Sequence, residues 1–559
     1  MGLTFRISVG IWFGIAGAWP AYASEAPDLP VSVHIDASNP TGTWKPVWRF
    51  FGYDEADYTY MPFGQRLLSE LAALQGPQIF IRCHHLLTSG DGQPALKWSS
   101  TNAYREDSNG NPIYDWTITD RIFDTYVQRG LKPYVEIGFM PKALSIRPDL
   151  YPTKIEANQR VPIDAGQAYP PKNYDKWRNL VYEWARHCVR RYGAAEVGRW
   201  RWEVWNEPNI PYWKGTPEEY FKLYDYAVDG VRRALPRALV GGPEQAGGGG
   251  KFLRAFLEHC LSGRNDATGG RGAPIDFISF HAKGKPRFVE NHVRMGLAHE
   301  LNDVESGFAT VPSFDQFKNT PVMIGESDPD GCAACTGPEL GYRNTPQYAC
   351  YTAAAIDREC EIAAKHHVNF QGALTWAFEF ENEPLFAGHR VLSTNGIDLP
   401  VLNVFRMFSK LRGERLEAQS SSSPSLDKVE TLGVRGPVDV SSIATLDPRQ
   451  LAIMLWDYRD DDVPGPAADV ELSIANLPHD GGAMIARYRI DQTHCNPMSL
   501  WRQMGSPPHP TAEQYSRLKA AGRLAADGPP QSVQITRGGL TVHERIPRQG
   551  VDLLVLTFD

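Results

Sequence analysis

Two glutamates sit where short apolar runs give way to turn residues, and their neighbours suit them to acid and nucleophile chemistry. The first closes Arg201-Trp202-Glu203-Val204-Trp205-Asn206-Glu207-Pro208-Asn209, which reads as a strand running into a turn fixed by Pro208. The second is delivered by Pro321-Val322-Met323-Ile324-Gly325-Glu326-Ser327-Asp328, an apolar run ending in acid. A carboxyl set among tryptophans beside an amide is the kind of group that can keep a proton for general-acid work. Two carboxyls flanking one acetal carbon can divide hydrolysis between them. One protonates the leaving oxygen and the other attacks, at about 5–5.5 Å separation for retention and wider when a water must fit between them.

Both glutamates must be held at the ends of strands that face each other. From about residue 49 to 410, apolar runs alternate with amphipathic stretches, the pattern of a parallel α/β fold. Eight strands are expected at Arg49–Asp54, Gln78–His84, Pro133–Phe139, Trp200–Trp205, Ala238–Gly242, Asp276–His281, Val322–Glu326 and Gly372–Phe378. Eight such units suit a (β/α)8 TIM barrel, whose active site gathers at the C-terminal strand ends and whose fourth and seventh strands oppose each other. Between them, Trp177, Leu180, Val181, Trp184, Ala185 and Cys188 recur on one helical face, with Gly193 placed as a C-terminal cap. Thr216-Pro217-Glu218-Glu219 is a helix start, and Tyr220, Leu223, Tyr224, Ala227 and Val231 form the stripe that follows. These aromatics are read as core.

Near residue 419 the texture changes. Ser420 to Ser425 is a Ser/Pro-rich break, and beyond it alternating strands such as Val470, Leu472 and Ile474 dominate, with one helix near Ala512–Ala521. The reading is an accessory β-sandwich over 416–559, a barrel over 24–415, and a strand near 31–36 that pairs with the β-domain. Residues 1–23 read as a signal peptide: Arg6, an apolar stretch from Ile7 to Ala18, and Ala21-Tyr22-Ala23 before the cleavage point. Export to the periplasm or the medium is the expectation. No later segment has 18 consecutive apolar residues, so no membrane span is expected. A net charge of −8 without a Lys/Arg run argues against nucleic-acid binding. Cys332-Ala333-Ala334-Cys335 reads as a loop clasp or buried thiols in preference to a redox pair or half a zinc site, because no second ligand pair has the right spacing.

The Trp-Asn-Glu-Pro-Asn run with a strand-end glutamate on the seventh strand resembles the retaining barrel glycosidases. The wider match is to glycoside hydrolase family 39, with β-xylosidases and α-L-iduronidases. It is carried by Phe51-Gly52-Tyr53-Asp54-Glu55, Arg82-Cys83-His84-His85, Glu136-Ile137-Gly138-Phe139-Met140-Pro141, Ile278-Ser279-Phe280-His281 and Trp376-Ala377-Phe378. The resemblance implies Glu207 as acid/base, Glu326 as nucleophile, and Asn206 on the sugar 2-hydroxyl. It also implies His84 and His281 as sugar-binding histidines, Trp376 as a stacking floor, and no metal or organic cofactor. Some members assemble through the β-domain, which leaves a homo-oligomer open.

The substrate is read as a terminal β-D-xyloside of a xylo-oligosaccharide. His281-Ala282-Lys283-Gly284 resembles the iduronidase pattern, in which the lysine meets a carboxylate; alternatively Lys283 pairs with Glu379 or Glu381. The acidic run holding Glu379, Glu381 and Glu383 favours hydroxyls over a further carboxylate, and Glu379 and Glu381 are expected in the substrate pocket. An α-L-arabinoside, an iduronide or an exopolysaccharide remain alternatives, as does a non-catalytic carbohydrate-binding protein.

Overall fold

A computed structural model describes residues 27–558 apart from 75, 77, 153–154, 156–159 and 437. The expected signal peptide lies outside the described residues. Eight parallel strands close into a barrel: β1 (Phe50–Tyr53), β2 (Phe80–Cys83), β3 (Lys132–Ile137), β4 (Arg201–Val204), β5 (Leu239–Gln245), β6 (Phe277–Lys283), β7 (Val322–Asp328) and β8 (Phe370–Trp376). Each expected strand overlaps one of them. Phe50, Phe80, Tyr134, Phe277, Met323 and Leu374 fill the barrel interior as one apolar cluster that reaches up to Trp376. With the floor packed, polar side chains can converge only at the mouth.

The helices follow their sequence signals. In Tyr174–Tyr192 all six residues of the expected face are buried, Asn173 caps the start by accepting from the Lys176 amide, and Gly193 ends it at φ +86°. In Pro217–Ala234 Thr216 and Glu219 form a reciprocal capping box and the Tyr220-to-Val231 stripe is buried.

The second unit is a nine-stranded mixed sheet that curls nearly closed around a single apolar cluster, including Val33, Leu416, Leu455, Val470, Ile485 and Leu554. The strand Leu29–Thr43 runs between Glu414–Ser420, antiparallel, and Ala468–Ala475, parallel. The barrel segment therefore leaves and re-enters the sheet through neighbouring strands. Helix Pro346–Lys365 is covered on its outer side by this sheet, with Tyr351 and Tyr458 rings 5.8 Å apart. Helices Pro497–Gln503 and Ala512–Gly522 leave the sheet to brace the loop after β8: Trp501 lies against Phe386, and the Tyr515 hydroxyl donates to Asn395 O at 2.6 Å.

Candidate active site

Three backbone irregularities aim the acids. β4 ends in left-handed residues, Trp205 at φ +75° and Glu207 at φ +44°, a conformation that costs a non-glycine residue on the order of 1–3 kcal/mol. The turn is held from outside: Glu207 N donates to Glu244 O at 2.8 Å, and the Asn209 amide exchanges hydrogen bonds with the Ala246 backbone. β5 is irregular between Pro243 and Gln245, which throws Glu244 inward at φ +53°. β7 is irregular between Ile324 and Glu326. Gly325 is required there, because a Cβ would meet Glu244 Oε2 at 1.6 Å. The glycine gives the Glu244 carboxylate its space while the bulge turns Glu326 into the mouth beside His281, its register partner on β6.

The result is a continuous polar network. His281 Nδ1 stands 3.0 Å from Glu207 Oε1 and 3.7 Å from Glu326 Oε1, and its Nε2 stands 3.1 Å from Glu244 Oε2. Two oxygens so close to one nitrogen are no more than about 7 Å apart, a ceiling that admits the carboxyl spacing of a retaining pair. Arg82, fully buried on β2, donates to Glu203, to Glu326 Oε1 at 3.1 Å and to Asn206 Oδ1 at 3.0 Å, and pairs in charge with Glu136 Oε2 at 2.9 Å. His84 Nδ1 lies 2.6 Å from Glu136 Oε2, and its ring is 4.2 Å from that of Trp376. Trp376 donates from Nε1 to Asp54 Oδ2 at 3.0 Å.

Charge is distributed unevenly across this network. Burial pushes the Glu326 carboxyl up, but Lys283, His281 and Arg82 outweigh it and hold the group well below the usual range, ionised as a nucleophile must be. Burial alone would discharge His281; Glu326, Glu207 and Glu244 together push it up to about 9. The resulting imidazolium donates from both nitrogens. Burial, with Glu244 beside it, raises Glu203 well above the usual carboxylate range against the pull of Arg82. Burial and the nearby Arg82 charge drive His84 well below its ordinary value and keep it neutral. The arrangement joins an ionised carboxylate, a second carboxyl across a shared imidazolium, and an aromatic floor, in a site where few groups touch water.

Glu207, Glu326, Asn206, His84, His281, Lys283 and Trp376 therefore meet at one mouth. Glu379 and Glu381 do not join them. Glu379 accepts from the Ser393 hydroxyl and from Gly396 N at 2.7 Å, and Glu381 accepts from Phe63 N at 2.6 Å and Gly64 N at 3.2 Å. Buried backbone amides of neighbouring loops need acceptors, and these two carboxylates supply them. Lys283 is likewise not paired with either. Its ammonium lies between Glu326 Oε2 at 2.6 Å and Asp328 Oδ2 at 2.5 Å. Cys332 and Cys335 form a disulfide, the clasp reading. Inside that turn the Arg343 guanidinium donates to the carbonyls of Cys332 and Cys335 and to Asp330. Sequence reasoning gave no site role to Asp54, Arg82, Glu136, Glu203 or Glu244. For those on strands the available signal was a charged residue at or near the inner end of an otherwise apolar run.

The family model described as "Glycosyl hydrolases family 39" matches residues 32–536. The chain belongs to glycoside hydrolase family 39. Among family 39 relatives, it is 28% identical over 461 residues to a β-xylosidase of Geobacillus stearothermophilus, covering 79% of each chain. It is 26% identical over 573 residues to the α-L-iduronidase of Mus musculus, covering 95% of this chain and 81% of the relative. A monomeric β-xylosidase structure from Caulobacter crescentus has the same fold, with TM-score 0.72, 21% identity, and coverage of 94% and 99%. A structure described as the bacterial orthologue of human α-L-iduronidase superposes with TM-score 0.74 at 21% identity, covering 95% and 84%. The family membership makes the chain a glycosidase acting on a carbohydrate, and the named relatives divide between two sugars.

Proposed function

We propose that the protein is a retaining, exo-acting β-D-xylosidase that releases terminal xylose from xylo-oligosaccharides. Glu207 protonates the glycosidic oxygen as Glu326 attacks the anomeric carbon, and the bond to the aglycone breaks as the bond to Glu326 Oε forms. Glu207, now ionised, takes a proton from water, and that water cleaves the glycosyl-enzyme with a second inversion. Asn206, fixed by Arg82, reads the 2-hydroxyl, and Trp376 carries the apolar face of the ring.

The observation that carries the sugar choice is the saturation of Lys283. An α-L-iduronide differs from a β-D-xyloside in its C5 carboxylate, and Lys283 is the cation that would read it. Its ammonium already faces two carboxylates at 2.6 and 2.5 Å. A third carboxylate would have to displace one of these two from the ammonium.

The test is a set of initial rates on aryl β-D-xyloside, α-L-arabinosides and α-L-iduronide, with Glu207→Gln and labelling by a 2-fluoroxyloside. The expected result is a dominant xyloside rate, loss on substrates needing acid assistance in Glu207→Gln, and a covalent adduct on Glu326. A dominant iduronide rate would reassign Lys283 as the carboxylate reader and leave the glutamate roles intact. No adduct and no turnover would favour a non-catalytic carbohydrate-binding protein.

A further inference from the structure

The loop between β2 and the helix Thr117–Val127 carries a two-residue turn. Ala95 and Trp98 exchange backbone hydrogen bonds at 3.1 and 2.9 Å, leaving Leu96 and Lys97 at the tip. The turn is anchored on both sides. Lys97 N donates to Glu55 Oε1 at 2.6 Å, and the Trp98 ring lies 5.1 Å from that of His85, the residue after His84. Lys97 takes φ +57°, where glycine or asparagine is the unstrained choice. A lysine is kept there although its side chain is buried to within 8% of full enclosure.

That side chain points into the site. Nζ stands 3.3 Å from Asp54 Oδ1. Asp54 is fixed from its other oxygen by Trp376 Nε1. Its Oδ1, although near Lys97 and 3.7 Å from His84 Nε2, makes no hydrogen bond and is shut from solvent. A buried carboxylate oxygen without a donor is a costly arrangement that a ligand hydroxyl would relieve. An ammonium with protons to give lies beside it.

We infer that Lys97 and Asp54 form the end wall of the sugar pocket and read two neighbouring hydroxyls of a neutral terminal pyranoside, Asp54 Oδ1 accepting from one and Lys97 Nζ donating to the other. The inference rests on the exo-xylosidase reading and deepens it by naming what makes the site exo-acting. In this reading the Lys97 turn closes the pocket behind the terminal sugar and so refuses a further one. Lys97 comes from a loop turn, outside the segments that carry the family resemblance, whereas Asp54 lies within one of them.

The experiment compares an aryl β-D-xyloside with the aryl glycoside of β-1,4-xylobiose on wild type, Lys97→Gly, Lys97→Met and Lys97→Arg. Lys97→Gly suits φ +57° but, like Lys97→Met, leaves the buried Asp54 carboxylate without its cation, so the glycine variant's thermal midpoint should be the higher of those two. The expected outcome is that Gly and Met raise KM for the monosaccharide glycoside roughly tenfold, the loss of one charged hydrogen bond to substrate, with a smaller effect on kcat. The glycine variant should also release intact xylobiose from the longer substrate, which wild type should shorten one sugar at a time. Arg should retain most of the affinity. Wild-type KM and products in all variants would overturn the inference while leaving the xylosidase reading in place. Failure of wild type on both substrates would remove that reading, and the inference with it.

Discussion

Lys283 Nζ stands 2.6 Å from Glu326 Oε2, so the ammonium touches the carboxylate that must attack, and the same nitrogen is held by Asp328 Oδ2 at 2.5 Å. Asp328 in turn accepts from Trp376 N at 2.9 Å, and Arg390 lies 3.4 Å from it. The end of β7 is thereby bound to β6 through Lys283 and to β8 through Asp328, and the negative charge on Glu326 is maintained by a group that need not leave when substrate binds.

Replacing Lys283 with Met should therefore move the acid limb of kcat/KM. The carboxyl of Glu326 lies well below its ordinary value because Lys283, His281 and Arg82 overcome burial. With its nearest cation gone, the limb should climb by about 1–3 pH units, the usual effect of a contacting charge. The profile is to be recorded with a xyloside carrying a good leaving group. A fall in rate with an unmoved acid limb would mean that Lys283 touches the sugar and does not tune Glu326.

His281 gives a prediction of opposite sign. Its folded value is raised to about 9 by Glu326, Glu207 and Glu244 in spite of burial. The stabilisation it provides is complete below the unfolded value near 6.5 and is lost as pH rises through about 9. That loss is on the order of 3 kcal/mol. Thermal midpoints from pH 6 to 10 should fall for wild type and change less for His281→Gln. A glutamine variant with the same alkaline slope as wild type would refute the assignment of the charge to His281.

Arg82 is the third point of leverage. It is fully buried and is the shared partner of Glu203, Glu136, Glu326 and Asn206. Arg82→Met removes the one cation that these acids share and leaves buried carboxylates uncompensated, at a cost of about 3–5 kcal/mol. Chemical denaturation of the purified variant gives the number. A loss below about 1 kcal/mol would show that the acids take up protons instead, which a proton-uptake measurement on folding would then detect.

Much of this was legible from residue order. Apolar alternation placed all eight barrel strands, and capping residues placed a helix end at Gly193 and a helix start at Thr216, because both signals are local. Glu207 and Glu326 were readable for the same reason: each terminates an apolar run. Glu244 was not, since its role depends on a bulge in β5 and on the missing Cβ of Gly325 on another strand. Lys97 lies in a loop, where nothing in the spacing indicates that a turn folds inward. The acid cluster holding Glu379 and Glu381 gives no sign of whether amides or sugar will occupy it. In this chain the amides of Phe63, Gly64 and Gly396 do.

The disulfide and Arg343 make separable contributions to the loop after β7. A bridge across a four-residue turn restricts little of the unfolded chain, and its entropic contribution is below about 2 kcal/mol. Arg343 is fully buried and satisfies carbonyls of Cys332, Ala333, Cys335 and Gly388 while pairing with Asp330 at 2.8 Å. Asp330 also lies 3.3 Å from Arg390, which donates to Trp376 O at 2.9 Å, so the loop is continuous with the proposed floor of the sugar pocket. Reduction, or the double variant Cys332→Ser/Cys335→Ser, should lower the thermal midpoint slightly and leave KM within about twofold of wild type. Arg343→Met should cost several kcal/mol and raise KM, because orphaned carbonyls, and an Asp330 left with Arg390 as its nearby cation, would pull the loop away from Trp376. If the double cysteine variant loses as much affinity as Arg343→Met, then the covalent clasp, and not the buried guanidinium, sets the position of the loop.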